Sequence, residues 1–157
     1  MLSLHTILHP TDFSVGSAAA FRLASALARD YAAKLVLVTV YPPIMSEVEV
    51  IARAQRDRID EDLLGNLQDL AADAGVAVEF RVEEGSPADM ILAVAEETHA
   101  DLIVMGTHGR SGFRRLLMGS VAEAVNRKAR CPVVTIRAPE NLPHEQASAA
   151  IPAATSK

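Results

Sequence analysis

The chain is expected to be an α/β protein, an open twisted sheet of five parallel strands with helices on both faces. Three observations predict this. Short apolar runs alternate along the chain with stretches whose apolar residues recur every three and four positions, the strand–helix–strand order of a parallel sheet. The run "KLVLVTVY", 34–41, is continuous and rich in β-branched residues, as a strand covered on both faces must be. A stretch with four glycines, "GTHGRSGFRRLLMGSV" at 106–121, begins where the fourth such run ends. In open parallel sheets ligands bind at the carboxyl ends of strands, and flexible backbone collects there.

The elements follow in order. Leu4–Leu8 reads as a first strand stopped at Pro10, and Ala20, Leu23, Ala24, Leu27, Ala28 and Tyr31 mark the buried face of a first helix. After the second strand, Pro42–Pro43 breaks the chain. A second helix is predicted over 47–74, with Ile59, Leu63, Leu67, Leu70 and Ala74 inward, and Gly75 supplies the left-handed residue that closes it. "VAVEFRVEE", 76–84, alternates apolar and polar, so one face of this third strand should be less covered. Ser86-Pro87-Ala88-Asp89 is a helix start: a capping serine, a proline in the first turn, and an acid near the positive helix end. That helix should run to about Thr98. "DLIVMG", 101–106, and "CPVVTIR", 131–137, are the fourth and fifth strands.

The totals narrow the function. A length of 157 residues suits one domain. Acids outnumber bases 20 to 15, for a net charge of −5, which argues against a sequence-independent grip on nucleic acid. One cysteine excludes an internal disulfide or a multi-cysteine zinc site. No leader-like start is visible, and no apolar run approaches the ~20 residues of a membrane span. A cytoplasmic domain without membrane or nucleic-acid partners is therefore expected over residues 1–138. From Ala138 the chain holds three prolines, six alanines and no aromatic residue, so residues 139–157 are expected to be a disordered tail.

Two loops leave strand ends with unusual chemistry, Pro10-Thr11-Asp12 after the first strand and the glycine stretch after the fourth. Gly119 directly precedes Ser120-Val121-Ala122-Glu123, which reads as a capping box. A helix start with glycine before it presents N–H groups and partial positive charge, and phosphate suits both. Gly106 and Gly109 would let backbone approach a ligand. Arg110, Arg114 and Arg115 make the segment locally basic. The segment is neither a P-loop, for want of a Lys–Ser/Thr pair in frame, nor the dinucleotide fingerprint, for want of its first two glycines.

The spacing Gly106-x2-Gly109-x9-Gly119-Ser120 resembles the ATP-binding signature of the universal stress protein family. The likeness extends through "ADLIVMGTHGRSG", "LLMGSVAEAV" and "CPVVTIR", and back to "ILHPTDFS", covering residues 2–137. It implies a Rossmann-like sheet of strand order 3-2-1-4-5, in which strands one and four lie side by side and the two loops converge. It also implies ATP as ligand, with Mg²⁺ or Mn²⁺ held through the phosphates. Gly106 and Gly109 would hold ribose and phosphates, and Gly119, Ser120 and Val121 would present N–H groups and a hydroxyl to the phosphates. Asp12 would accept from ribose hydroxyls, Pro10 and Thr11 would shape the adenine side, Val40 would meet the adenine edge, and Met105 would line the pocket. Relatives join edge strands across a two-fold axis, which implies a homodimer through Val133, Val134, Thr135 and Ile136.

Each residue also has a plainer reading. Asp12 could cap the first helix together with Ser14. His108 and Arg110 could touch phosphate, but nothing places a nucleophile beside His108. His5 and His9 are spaced too far apart for a tight metal pair and read as structural, and Cys131 reads as a small buried hydrophobe. Phe113, Leu116 and Leu117 read as a short packed turn. A regulatory nucleotide-binding module is preferred to a slow ATP hydrolase because the loop offers no acid or glutamine to orient water. A nucleotide-free interaction protein is the third reading, against which the intact glycine spacing stands.

Overall fold

A computed structural model describes residues 3–43, 61–62, 64–108 and 118–137. The strands are β1 (Thr6–Pro10), β2 (Lys34–Tyr41), β3 (Val78–Glu84), β4 (Leu102–Gly106) and β5 (Val133–Ile136). The helices are α1 (Val15–Tyr31), α2 (residues 64–73), α3 (Pro87–Glu97) and α4 (Ser120–Lys128). All strand pairings are parallel, in the order β3-β2-β1-β4-β5, as expected. The sheet reverses its winding between β1 and β4. Of the residues singled out in the sequence, Ile59, Leu63, Gly109, Arg110, Phe113, Arg114, Arg115, Leu116, Leu117 and the tail 139–157 lie outside the described residues.

Alternation along β1 divides the interior into two layers. Ile7 faces a cluster with Leu35, Leu37 and Val104 that is covered by Phe21, Ala24 and Ala28 of α1 and Leu67 and Ala71 of α2. Leu8 faces the other way, into Val36, Val38, Ile103 and Met105 beneath Ile91 and Val94 of α3 and Ala122 and Val125 of α4. Small alanines let α1 lie close on the sheet, so a core nearly without aromatics still closes. Asp101 ties the start of β4 to β1: its carboxylate accepts the N–H groups of His5 (2.7 Å) and Thr6 (3.0 Å). Those two bonds hold its pKa below the usual carboxylate value.

Several details depart from expectation. Tyr31 is 42% exposed rather than buried, because it is the last residue of α1, beside the turn at Ala32 (φ 52). β1 starts at Thr6, two residues after the predicted start, and takes in Pro10, where the stretch was expected to stop. Ser86 is the N-cap of α3, but its side chain makes no capping bond. Gly75 closes α2 at φ 71, as predicted. On β3, Val78 and Phe80 pack on the core, but Val82 on the same face is 56% exposed, so cover falls off along the strand instead of differing between its two faces as the alternation implied.

Candidate functional site

A cleft of about 530 Å³ opens over the carboxyl ends of β1, β2 and β4. Its floor is Pro10, Thr11 and Asp12. One wall is apolar, with Val38, Val40 and Pro42 from the end of β2 facing Pro87 and Ile91 from the start of α3. The opposite wall carries Met105, Gly106, Thr107 and His108, then Gly119, Ser120, Val121 and Ala122 at the start of α4. Ser14 and Ser17 of α1 reach the same space. Ten of the predicted site residues are thus brought together: Pro10, Thr11, Asp12, Val40, Met105, Gly106, His108, Gly119, Ser120 and Val121.

Hydrogen bonds from side chain to backbone set the turn after β1. Ser14 caps α1, its hydroxyl accepting the Ser17 N–H (3.2 Å), while an Asp12 carboxylate oxygen accepts the Ser14 N–H (3.0 Å). Asp12 therefore supports the cap rather than being it. The Thr11 hydroxyl accepts from the Phe13 N–H (3.2 Å) and the Ser17 hydroxyl (2.7 Å), and the Thr11 carbonyl accepts from Thr39 Oγ1 (2.6 Å). These bonds hold Phe13 at φ 60, a conformation non-glycine residues seldom take. With two acceptances at Oγ1, the Thr11 proton remains available to a ligand acceptor.

The expected capping box at α4 does not form. Gly119 is the N-cap, extended at φ −73 and ψ 160, and its carbonyl accepts the Glu123 N–H (2.9 Å). Ser120 is the first helical residue, one position too late for its hydroxyl to close the turn. The cause is the bond from the Gly119 N–H to the Thr107 carbonyl (2.6 Å), which makes 119 the last non-helical position. Gly119 has no side chain with which to cap this helix, and none caps it among the described residues. Its first-turn N–H groups, at Ser120, Val121 and Ala122, therefore keep the donors that an α-helix start leaves over, beside the positive end of its dipole.

The glycines serve a use that their sequence positions did not reveal. A Cβ on Gly106 would sit 2.9 Å from the Gly16 carbonyl carbon, and one on Gly119 would sit 3.0 Å from the Thr107 carbonyl oxygen. Gly106 was expected to make room for a ligand; it lines the cleft, and its bare side also admits the first turn of α1. The site is compact because three backbone segments touch.

Eight cleft residues were not among the predicted site residues: Ser14, Ser17, Val38, Pro42, Pro87, Ile91, Thr107 and Ala122 occupy positions that the sequence presents as ordinary helix, strand or loop. His9 was not among them either. It is wholly buried beside Phe21, with Nδ1 2.8 Å from the Val104 carbonyl. Burial drives its pKa down to about 4, against the opposing pull of that carbonyl and of the Asp12 charge. His5 is exposed and meets Ser3, so the two histidines share no site. Among the described residues no group of three or more His, Cys, Asp or Glu is gathered for a metal. A second depression, about 380 Å³, lies by Glu96, His99, Lys128 and Cys131, at the carboxyl ends of α3 and α4. Helix carbonyls face an incomer there, so phosphate is better matched by the first.

Comparison with known proteins places these observations. Residues 3–137 match the Universal stress protein family. The chain is similar to Universal stress protein MJ0531 of Methanocaldococcus jannaschii, 36% identical over 141 residues that cover 85% of this chain and 82% of the relative. The fold is shared with universal stress protein UspA from Lactobacillus plantarum, at a TM-score of 0.78 and 24% identity over 87% of this chain and all of the other. A crystal structure of a universal stress protein in complex with cAMP is similar at a TM-score of 0.69 and 30% identity, covering 88% of this chain and 100% of that one.

Proposed function

This chain belongs to the universal stress protein family, and we propose that its cleft binds an adenine nucleotide, ATP with Mg²⁺ or Mn²⁺, as the ligand-sensing part of a cytoplasmic, homodimeric stress-response module. One observation carries the reading: a single cleft joins an apolar slot between β2 and α3 to the uncapped N-terminus of α4. A nucleotide has the same two-ended chemistry. The base enters among Val38, Val40, Pro42, Pro87, Ile91 and Met105, and the phosphates meet the N–H groups of Ser120 and Val121. Asp12, on the floor between the ends, accepts from ribose hydroxyls. Gly109 and Arg110, which lie outside the described residues, are further candidates for phosphate contact by the glycine spacing alone. That a similar universal stress protein forms a complex with cAMP supports an adenine–phosphate ligand for this chain.

The divalent ion fits the donor set. Asp12 is a cleft carboxylate, and Mg²⁺ needs few protein ligands when phosphate oxygens and water supply the rest. The ion would neutralise phosphate charge.

The test begins with purified protein, denatured and assayed for released adenine nucleotide, followed by calorimetry with ATP in the presence and absence of Mg²⁺. Copurified nucleotide or a magnesium-dependent heat is expected, and silence in both experiments overturns the reading. Phosphate release followed over hours separates a binder from a slow hydrolase.

A further inference from the structure

The ladder between β1 and β4 ends early. Its last pair is Leu8↔Ile103, although β1 runs on to Pro10 and β4 to Gly106. In a parallel ladder alternate residues face one neighbour. Thr11 gives its N–H to Val38 on β2, so residues 8 and 10 face β4. With Leu8 paired to Ile103, the next donor toward β4 is the N–H of residue 10, and its acceptor is the Val104 carbonyl. Residue 10 is proline and has no N–H to give.

That carbonyl is nevertheless bonded, by the imidazole of the preceding residue. His9 Nδ1 lies 2.8 Å from the Val104 oxygen. A carbonyl only accepts, so Nδ1 carries the proton and Nε2 is bare. Nε2 is buried with no partner among the described residues. The ring is therefore held by one bond and by a tilted contact with the Phe21 ring, 5.9 Å away between centroids. The side chain thus bridges the two strands where they part, directly beneath Pro10-Thr11-Asp12 on one side and Met105-Gly106 on the other.

We propose that His9 is a positioning residue of the cleft: its Nδ1–H takes the place of the ladder donor that Pro10 lacks, and so sets the separation of the two strand ends between which the nucleotide binds. Pro10 opens the sheet at the point of reversal, and His9 stops it from opening further. Removing the donor leaves a buried carbonyl unpaired, which the strands relieve by moving apart and admitting water. The walls of the cleft then lose their register with each other. The binding half of this inference rests on the function proposed above.

Two substitutions separate the bond from mere filling of space. Asparagine places an N–H near the position of Nδ1, and valine places none. Affinity for MgATP and for AMP is measured by calorimetry on the full chain, with circular dichroism as the check on folding. His9→Val is expected to weaken both nucleotides about tenfold, and His9→Asn to stay within about threefold of the unchanged protein. A folded His9→Val protein that binds normally overturns the proposal, as does an equal loss in both variants. If His9→Val does not fold, the ¹⁵N spectrum of histidine-labelled unchanged protein decides. A His9 ring protonated on Nδ1 and bare on Nε2 supports the bridge; the opposite tautomer overturns it. Unchanged protein that binds neither nucleotide sinks the proposed function and the binding role together, while the ring spectrum still judges the bridge itself.

Discussion

His9 makes stability depend on pH in a definite direction. Burial, opposed by the Val104 carbonyl and the Asp12 charge, lowers its pKa from 6.5 to about 4 in the folded chain. The unfolded chain then takes up this proton at higher pH than the folded one. Stability is complete above about 6.5 and falls as pH drops toward 4, by about 1.4 kcal/mol per pH unit within that window. Melting temperatures between pH 7.5 and 4.5 should show this slope, and His9→Asn should flatten it. Asp101, lowered by its two backbone bonds, adds its own loss at still lower pH. Gly106 is the second sensitive residue. Gly106→Ala brings a methyl within 2.9 Å of the Gly16 backbone and should cost about 1–3 kcal/mol in chemical denaturation. Neither effect was legible in the sequence. Gly16 and Gly106 are far apart along the chain, and a histidine before a proline in an apolar run signals nothing until the strand beside it is known.

At the scale of elements, β2 was legible to the residue because its run is continuous, β-branched and stopped by two prolines. β1 was not, since Pro10 reads as a terminator but is tolerated where the ladder to β4 has already ended. Local pattern also misplaced the start of α4. Ser-x-x-Glu has the form of a capping box, yet the bond from Gly119 to Thr107, made across a loop, decides the register. The distinction is measurable. A capping serine costs about 1 kcal/mol when replaced by alanine, whereas Ser120 at the first helical position should cost less than about 0.5 kcal/mol. Ser120→Ala should therefore leave the melting temperature nearly unchanged while weakening MgATP binding about tenfold, the worth of one bond to a charged group. A fall in stability with unchanged affinity would restore the cap.

For the whole molecule, the chain order of helices and strands was enough to foresee parallel layers, and the glycine spacing pointed to the end of the sheet at which the cleft opens. What it could not supply was the apolar wall from α3, because Pro87 and Ile91 belong to a helix that reads as ordinary core. The sheet also bears on assembly. β5 pairs with β4 on one side, and the bond from Thr107 to the Ile136 carbonyl shows that 134 and 136 face inward. Residues 133 and 135 then direct their backbone groups away from β4. An apolar edge of this kind invites a partner strand. In the proposed dimer Thr135→Pro removes an outward donor and spares the β4 ladder. Light scattering at micromolar concentration should report two chains for the unchanged protein and one for the variant, with the same circular dichroism.

The contact of Gly16 with Gly106 has an evolutionary corollary. When a bulky substitution is harmful, a lineage commonly recovers by shrinking the neighbour it strikes. Here the neighbour is already the smallest residue there is, and what it presents is main chain. No change at position 16 can make room for a side chain at 106, so selection from a randomised library should return position 106 as glycine, with no compensating pair among the survivors.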